Sequence, residues 1–200
     1  LEEREMLQMA DDSLRWKKLG SEAGPELPLF RVRYDTMQHP ASSAKFERMV
    51  LETPDWVNVV AVTADDKIVM VEQFRFGIGE LTIEPVAGIV DPGEDTLDAG
   101  KRELLEETGF GEGRWRYLGS VQANPAFHDN LCHHWLAEDV THLQAPAPDA
   151  GEAIGVHLMT LEEIKHAVAA GSIRHTLGLS ALSRVFPLWE LPYVTTPDQQ

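Results

Sequence analysis

The run GIVDPGEDTLDAGKRELLEETGF, residues 88–110, decides how the rest of this chain is read. Asp91-Pro92-Gly93 is turn chemistry, because proline presets φ and glycine accepts positive φ. Asp95 or Thr96 can cap a helix, and Leu97 to Thr108 are good helix formers ending at Gly109, where a terminating glycine belongs. At 3.6 residues per turn, Glu103, Glu106 and Glu107 fall within an arc of roughly 100°. Three carboxylates packed so closely repel one another unless cations lie between them. Oxygen-only ligation suits a hard divalent ion, Mg²⁺ or Mn²⁺, that keeps several waters and shares its other positions with phosphate oxygens. Arg102 stands one turn before Glu106, placed to hold that carboxylate.

An isolated acidic run is usually a solvated helix face, but this one sits inside a longer pattern. Gly88, five residues, Glu94, seven residues, Arg102-Glu103-Leu104, one residue, Glu106-Glu107, one residue, Gly109-Phe110 resembles the Nudix hydrolase signature at every specified position. The resemblance implies an α/β/α sandwich and hydrolysis of a nucleoside diphosphate linked to another moiety. Its flanks narrow the subgroup. Glu84-Pro85-Val86-Ala87-Gly88 resembles the E-x-x-A-G entry of ADP-ribose pyrophosphatases, which implies the Ala87 carbonyl as a metal ligand beside Glu103, Glu106 and Glu107. Glu84 joins the substrate set on the same ground. Glu72-Gln73-Phe74-Arg75 resembles the subgroup's E-Q-x-R strand, whose arginine contacts the diphosphate, and Arg48 matches a second such arginine.

Pro125 stands at the subgroup's ADP-ribose marker position, in a loop that also carries His128 as a candidate substrate contact. Residues 124–137 are similar to the broader nucleoside-diphosphate-sugar hydrolases, many of which have arginine where this chain has Leu131. Trp56, at a strand start, suits a nucleobase platform and equally suits core or dimer packing. Glu152 precedes a strand where the subgroup carries its catalytic glutamate; either it or a box glutamate is the base. The resemblance thus implies Glu152, Glu106, Glu107 and Arg102 as the catalytic set and Mg²⁺ (or Mn²⁺) as cofactor. The alternatives are a Nudix enzyme acting on nucleoside triphosphates or RNA caps, and a non-catalytic ADP-ribose-binding regulator.

Composition agrees. The 200 residues carry a formal charge of −16, and 43% are hydrophobic, enough for one well-buried domain with an accessory segment. Duplex nucleic acid and anionic membranes need lysine and arginine to neutralise phosphate, so neither is an expected partner. Cys132 is the one cysteine, which excludes an internal disulfide. No apolar signal core or membrane-length run is present, so a cytoplasmic enzyme is expected, and Leu1 in place of methionine implies numbering that begins within a longer gene product.

The expected organisation is an N-terminal segment, 1–52, and a Nudix domain, 53–200. Residues 1–20 read as helical or loosely ordered, with Leu14, Trp16 and Leu19 as apolar anchors. Strands are expected at 29–33, 46–51, 57–63, 67–74, 81–84, 115–122, 132–136 and 153–159. Thr160-Leu161-Glu162-Glu163 is a capping box opening a helix to about Ala170, and 175–188 reads as a final amphipathic helix. The fold class is therefore an α/β/α sandwich with a small N-terminal β segment. Subgroup enzymes pair through N-terminal strands, so a homodimer is expected, with Arg48 serving the neighbouring subunit's site.

Overall fold

The computed structural model describes residues 12–189. Its strands are β1 (Lys17–Glu26), β2 (Arg31–Gln38), β3 (Lys45–Glu52), β4 (Trp56–Thr63), β5 (Ile68–Arg75), β6 (Glu80–Ile89), β7 (Phe110–Gly111), β8 (Arg114–Gln122), β9 (Leu131–His142) and β10 (Ile154–Met159). The helices are α1 (Thr96–Thr108), α2 (Leu161–Ala169) and α3 (Thr176–Ser183). Contacts divide the chain into two compact units. One runs to Thr53 and takes in Asn124–Asn130; the other comprises Pro54–Ala123 and Leu131 onward.

In the larger unit, β4 is why a two-faced sheet forms. Val57, Val59, Val60 and Ala61 are all fully buried, as expected of a near-continuous apolar strand covered on both sides. β4 pairs antiparallel with β6 and parallel with β9, within the sheet order β10-β5-β6-β4-β9-β7, and β8 pairs β9. β5 also pairs with the far end of β4, which curls the sheet. Val59 and Ala61 pack with Val69, Val71 and Val86 against Leu104 of α1. Val60, Ile68, Met70 and Leu136 pack on the other face against Ile164 of α2 and Ala181 and Leu182 of α3. The layers are helix, sheet, helix: the expected α/β/α sandwich.

The smaller unit is an antiparallel β1-β2-β3 sheet, with Leu51 N donating to Phe127 O at 2.7 Å. Here the sequence expectation needs correction. Residues 17–20 are strand, not helix or loose chain, and β2 runs on to Gln38. β1 is exposed along nearly its whole length, so it lacks the period-two apolar signal and is held by ladder hydrogen bonds to β2. Leu14 and Leu19 are exposed and anchor nothing, whereas Trp16 meets His39 and Phe46 edge-on. The part of the expected helical segment over residues 1–11 lies outside the described residues.

Candidate active site

α1 forms as its residues dictate. The Asp95 carboxylate accepts from Leu97 N at 2.8 Å, and Gly109 ends the helix at φ 73° with its N–H on Leu105 O. A Cβ at Gly109 would lie 1.9 Å from Gln144 O, so both conformation and space demand glycine.

Arg102 ties helix to loop. Its Nε and Nη2 donate to Glu94 Oε1 and Oε2 at 3.0 and 2.9 Å, and Nη2 also reaches Ile89 O. Nη1 donates to Glu103 at 2.7 Å and to Glu106 at 3.3 Å, the hold on Glu106 that the spacing implies. Glu94, in turn, accepts from Asp91 N at 3.0 Å, which closes the turn before the helix.

Glu103 and Glu107 lie against β6. A Cβ on Gly88 would come within 2.0 Å of the Glu103 carboxylate, so glycine at that position makes room for the acid. Glu107 is 2% exposed and accepts weakly from Ala87 N. Burial, then the neighbouring Glu103, pushes its carboxyl up to about 8. Burial raises Glu103 as well, against the Arg102 hydrogen bond, with Glu106 and Glu152 adding repulsion. In these rotamers no three acidic, imidazole or thiol groups among the described residues converge on one point, since Glu103 and Glu106 lean on Arg102. The donor set nevertheless fits a hard divalent cation. It is all oxygen, it is crowded behind a glycine cradle, and its repulsion is what such an ion relieves.

Glu152 is exposed in the loop before β10, bonded to Asp149, and it acts electrostatically on Glu103, Glu107 and Arg75. Arg75 is half-exposed and grips Glu84 with both arms, Nε to Oε1 at 2.7 Å and Nη2 to Oε2 at 2.6 Å. Glu84 is fully buried, so its link to the site runs through Arg75. Burial would raise its carboxyl, but His175, Arg75 and Thr82 outweigh that and lower it to about 2. His175 and Thr82 carried no functional reading in the sequence. Thr82 shares the strand face of Glu84 by alternation, whereas nothing local points His175 at it.

Trp56 is half-buried at the start of β4. Arg48, Pro125 and His128 belong to the smaller unit. The Arg48 guanidinium lies over the Phe46 and Trp16 rings at 4.9 and 5.3 Å, Pro125 is exposed, and His128 is half-buried beside Leu51. Asp55, His133 and Tyr117 form a chain not read from the sequence. Tyr117 Oη is 2.9 Å from His133 Nδ1, and His133 Nε2 is 3.1 Å from Asp55.

The NUDIX domain family model matches residues 53–177, the segment that contains β4 to β10 with α1 and α2. The chain belongs to the Nudix family. Among its relatives, it is 31% identical over 134 residues to the methanol dehydrogenase activator of Bacillus methanolicus, covering 66% of this chain and 72% of that one. It is 34% identical over 118 residues to the ADP-ribose pyrophosphatase of Bacillus subtilis, covering 58% of this chain and 64% of that protein's length. A crystal structure of an ADP compounds hydrolase superposes with a TM-score of 0.75 at 20% identity, over 86% of this chain and 92% of that one, and so shares the Nudix fold.

Proposed function

We propose that this Nudix hydrolase cleaves the diphosphate bond of ADP-ribose or a related nucleoside diphosphate sugar, with Mg²⁺ as its cation. The products are a nucleoside monophosphate and a sugar phosphate. The observation that carries the reading is the carboxylate cluster itself: Glu103 seated in the space that Gly88 leaves, Glu107 buried beside Ala87 N, and Arg102 holding Glu103 and Glu106. The relative named ADP-ribose pyrophosphatase supports the same substrate class.

Glu103, Glu106 and Glu107, with the Ala87 carbonyl, are the residues that would hold the metal. When bound, such an ion polarises the diphosphate and makes water a better nucleophile at neutral pH. Arg75 takes charge on the non-bridging oxygens through the part of its fork not spent on Glu84. Glu152 accepts the proton of the attacking water, being exposed and close enough to influence the box acids. Arg102 keeps Glu103 and Glu106 in place throughout. Trp56 is the base platform, and Pro125 and His128 belong to the loop that selects the distal sugar. Two copies pair through the β1–β3 sheet, with Arg48 serving the partner's diphosphate, in the cytoplasm.

A kcat/KM ranking across ADP-ribose, GDP-mannose, ADP-glucose and dGTP with Mg²⁺ tests the substrate class. ADP-ribose is expected to lead, with appreciable turnover of the hexose compounds; a ranking led by dGTP overturns it. Sedimentation at micromolar concentration tests the pairing, and a fully active monomer refutes it.

A further inference from the structure

The Glu84 carboxylate is fully buried, and such a charge is tolerated only when its lone pairs find donors. Oε1 receives Arg75 Nε at 2.7 Å and Thr82 Oγ1 at 2.7 Å. Oε2 receives Arg75 Nη2 at 2.6 Å, and His175 Nδ1 lies against the same oxygen at 2.6 Å, a close N···O contact outside hydrogen-bond geometry. His175 is the N-cap residue of α3, yet its side chain makes no capping hydrogen bond and goes to Glu84 instead.

The surroundings hold the imidazole there. Arg174 pairs with Glu80, which lies on the same strand and the same strand face as Glu84. One turn into α3, Gly178 sits so close to β6 that a Cβ would lie 2.9 Å from Pro85 Cδ and 3.8 Å from Glu84 Cβ. The first turn of α3 is thus seated on β6 where Arg75 is anchored, and Arg75 in turn is coupled to Glu107 and Glu152.

We propose that His175 is a positioning residue for the diphosphate-binding arginine: set against Glu84 Oε2, its imidazole fixes the carboxylate that Arg75 grips with both arms, and so fixes where the rest of the Arg75 fork points. This rests on the diphosphate role of Arg75 proposed above. Without the imidazole, the Glu84 carboxylate is free to turn, and the Arg75 fork bound to it turns away from the substrate. The loss falls on binding, because among the described residues His175 contacts Glu84 and neither the box glutamates nor Glu152.

Steady-state kinetics with ADP-ribose and Mg²⁺ test it on wild type, His175→Leu, His175→Gln, Arg75→Lys and the double variant Arg75→Lys/His175→Leu, with melting temperatures recorded in parallel. Arg75→Lys leaves a cation beside Glu84, so the buried acid keeps a partner. His175→Leu is expected to raise KM about tenfold with kcat within about twofold, and His175→Gln, which retains a donor, to recover most of it. In the Arg75→Lys background the leucine substitution should add little, since both act through one guanidinium. An unchanged KM with a lowered melting temperature, or KM effects that multiply in full, would overturn the proposal and leave His175 as a prop for α3. If Arg75→Lys alone leaves KM unaltered, the diphosphate role of Arg75 fails, and the proposal with it. Absence of ADP-ribose turnover by the wild type instead marks failure of the substrate reading.

Discussion

Gly88→Ala isolates the metal-ligand role proposed for Glu103 from the stability of the fold. An ideal Cβ at residue 88 lies 2.0 Å from both Cδ and Oε1 of Glu103 and 2.4 Å from its Cγ. Carbon atoms settle about 3.5–4.0 Å apart, so the carboxylate must leave. It is the far end of a flexible side chain, and leaving means a new rotamer and loss of the 2.7 Å bond from Arg102. That bond joins partly exposed partners, so its loss costs about 1 kcal/mol or less, and alanine restricts the unfolded chain by about 0.4–1 kcal/mol in compensation. Folding stability therefore changes by no more than about 1 kcal/mol. Activity does not escape, because one of the three proposed acidic ligands has been moved. We expect kcat to fall about 10²-fold, roughly 2.7 kcal/mol, and half-activation to need about 10- to 100-fold more Mg²⁺. The assay is ADP-ribose turnover across a Mg²⁺ series, beside thermal melts, with Gly20→Ala, which points into open space, as control. Adding Glu103→Ala to Gly88→Ala should cost little more, since both remove the same carboxylate from the proposed metal site. Wild-type kcat and Mg²⁺ midpoint in Gly88→Ala would refute the reasoning, as would a loss that simply follows a collapsed melting temperature.

Glu106→Gln and Glu107→Gln should each lower kcat by about 10²-fold or more with the fold intact, because they remove charge and not volume; circular dichroism and turnover on the same samples check this. Gly109→Ala should destabilise by about 2–4 kcal/mol in denaturant titration, since φ 73° and a Cβ 1.9 Å from Gln144 O both oppose it. His134 supplies a pH dependence. Burial, then the Arg184 and His133 charges, lowers its imidazole from 6.5 to about 4. It is fully buried, and neither ring nitrogen has a hydrogen-bond partner among the described residues. Below pH 6.5 the unfolded chain binds a proton that the folded chain refuses, so stability falls as pH drops from 6.5 towards 4. The loss amounts to about 3 kcal/mol at most, and urea melts across that range should show it shrinking in His134→Leu.

Local chemistry made the central part of this protein legible. The turn at 91–93, the Asp95 cap, the Gly109 stop and the Thr160–Glu163 capping box are interactions within a few residues, and each forms where residue type and spacing place it. The apolar run of β4 announces a strand buried on both faces for the same reason: its side-chain pattern needs no distant partner to be read. From these came the sandwich, the carboxylate helix and the family. Features that depend on meetings between distant segments were decided by the tertiary structure. β1 carries no apolar alternation and exists through its ladder to β2. The loop Asn124–Asn130, read as part of the catalytic domain, groups with the N-terminal sheet through Leu51 and Phe127. Glu84 faces inward to Arg75, and His175 reaches it because α3 is seated on β6. Sequence spacing records which side chains share a turn or a face, but not which far-off imidazole finds a buried carboxylate; that follows from how the packed elements come together.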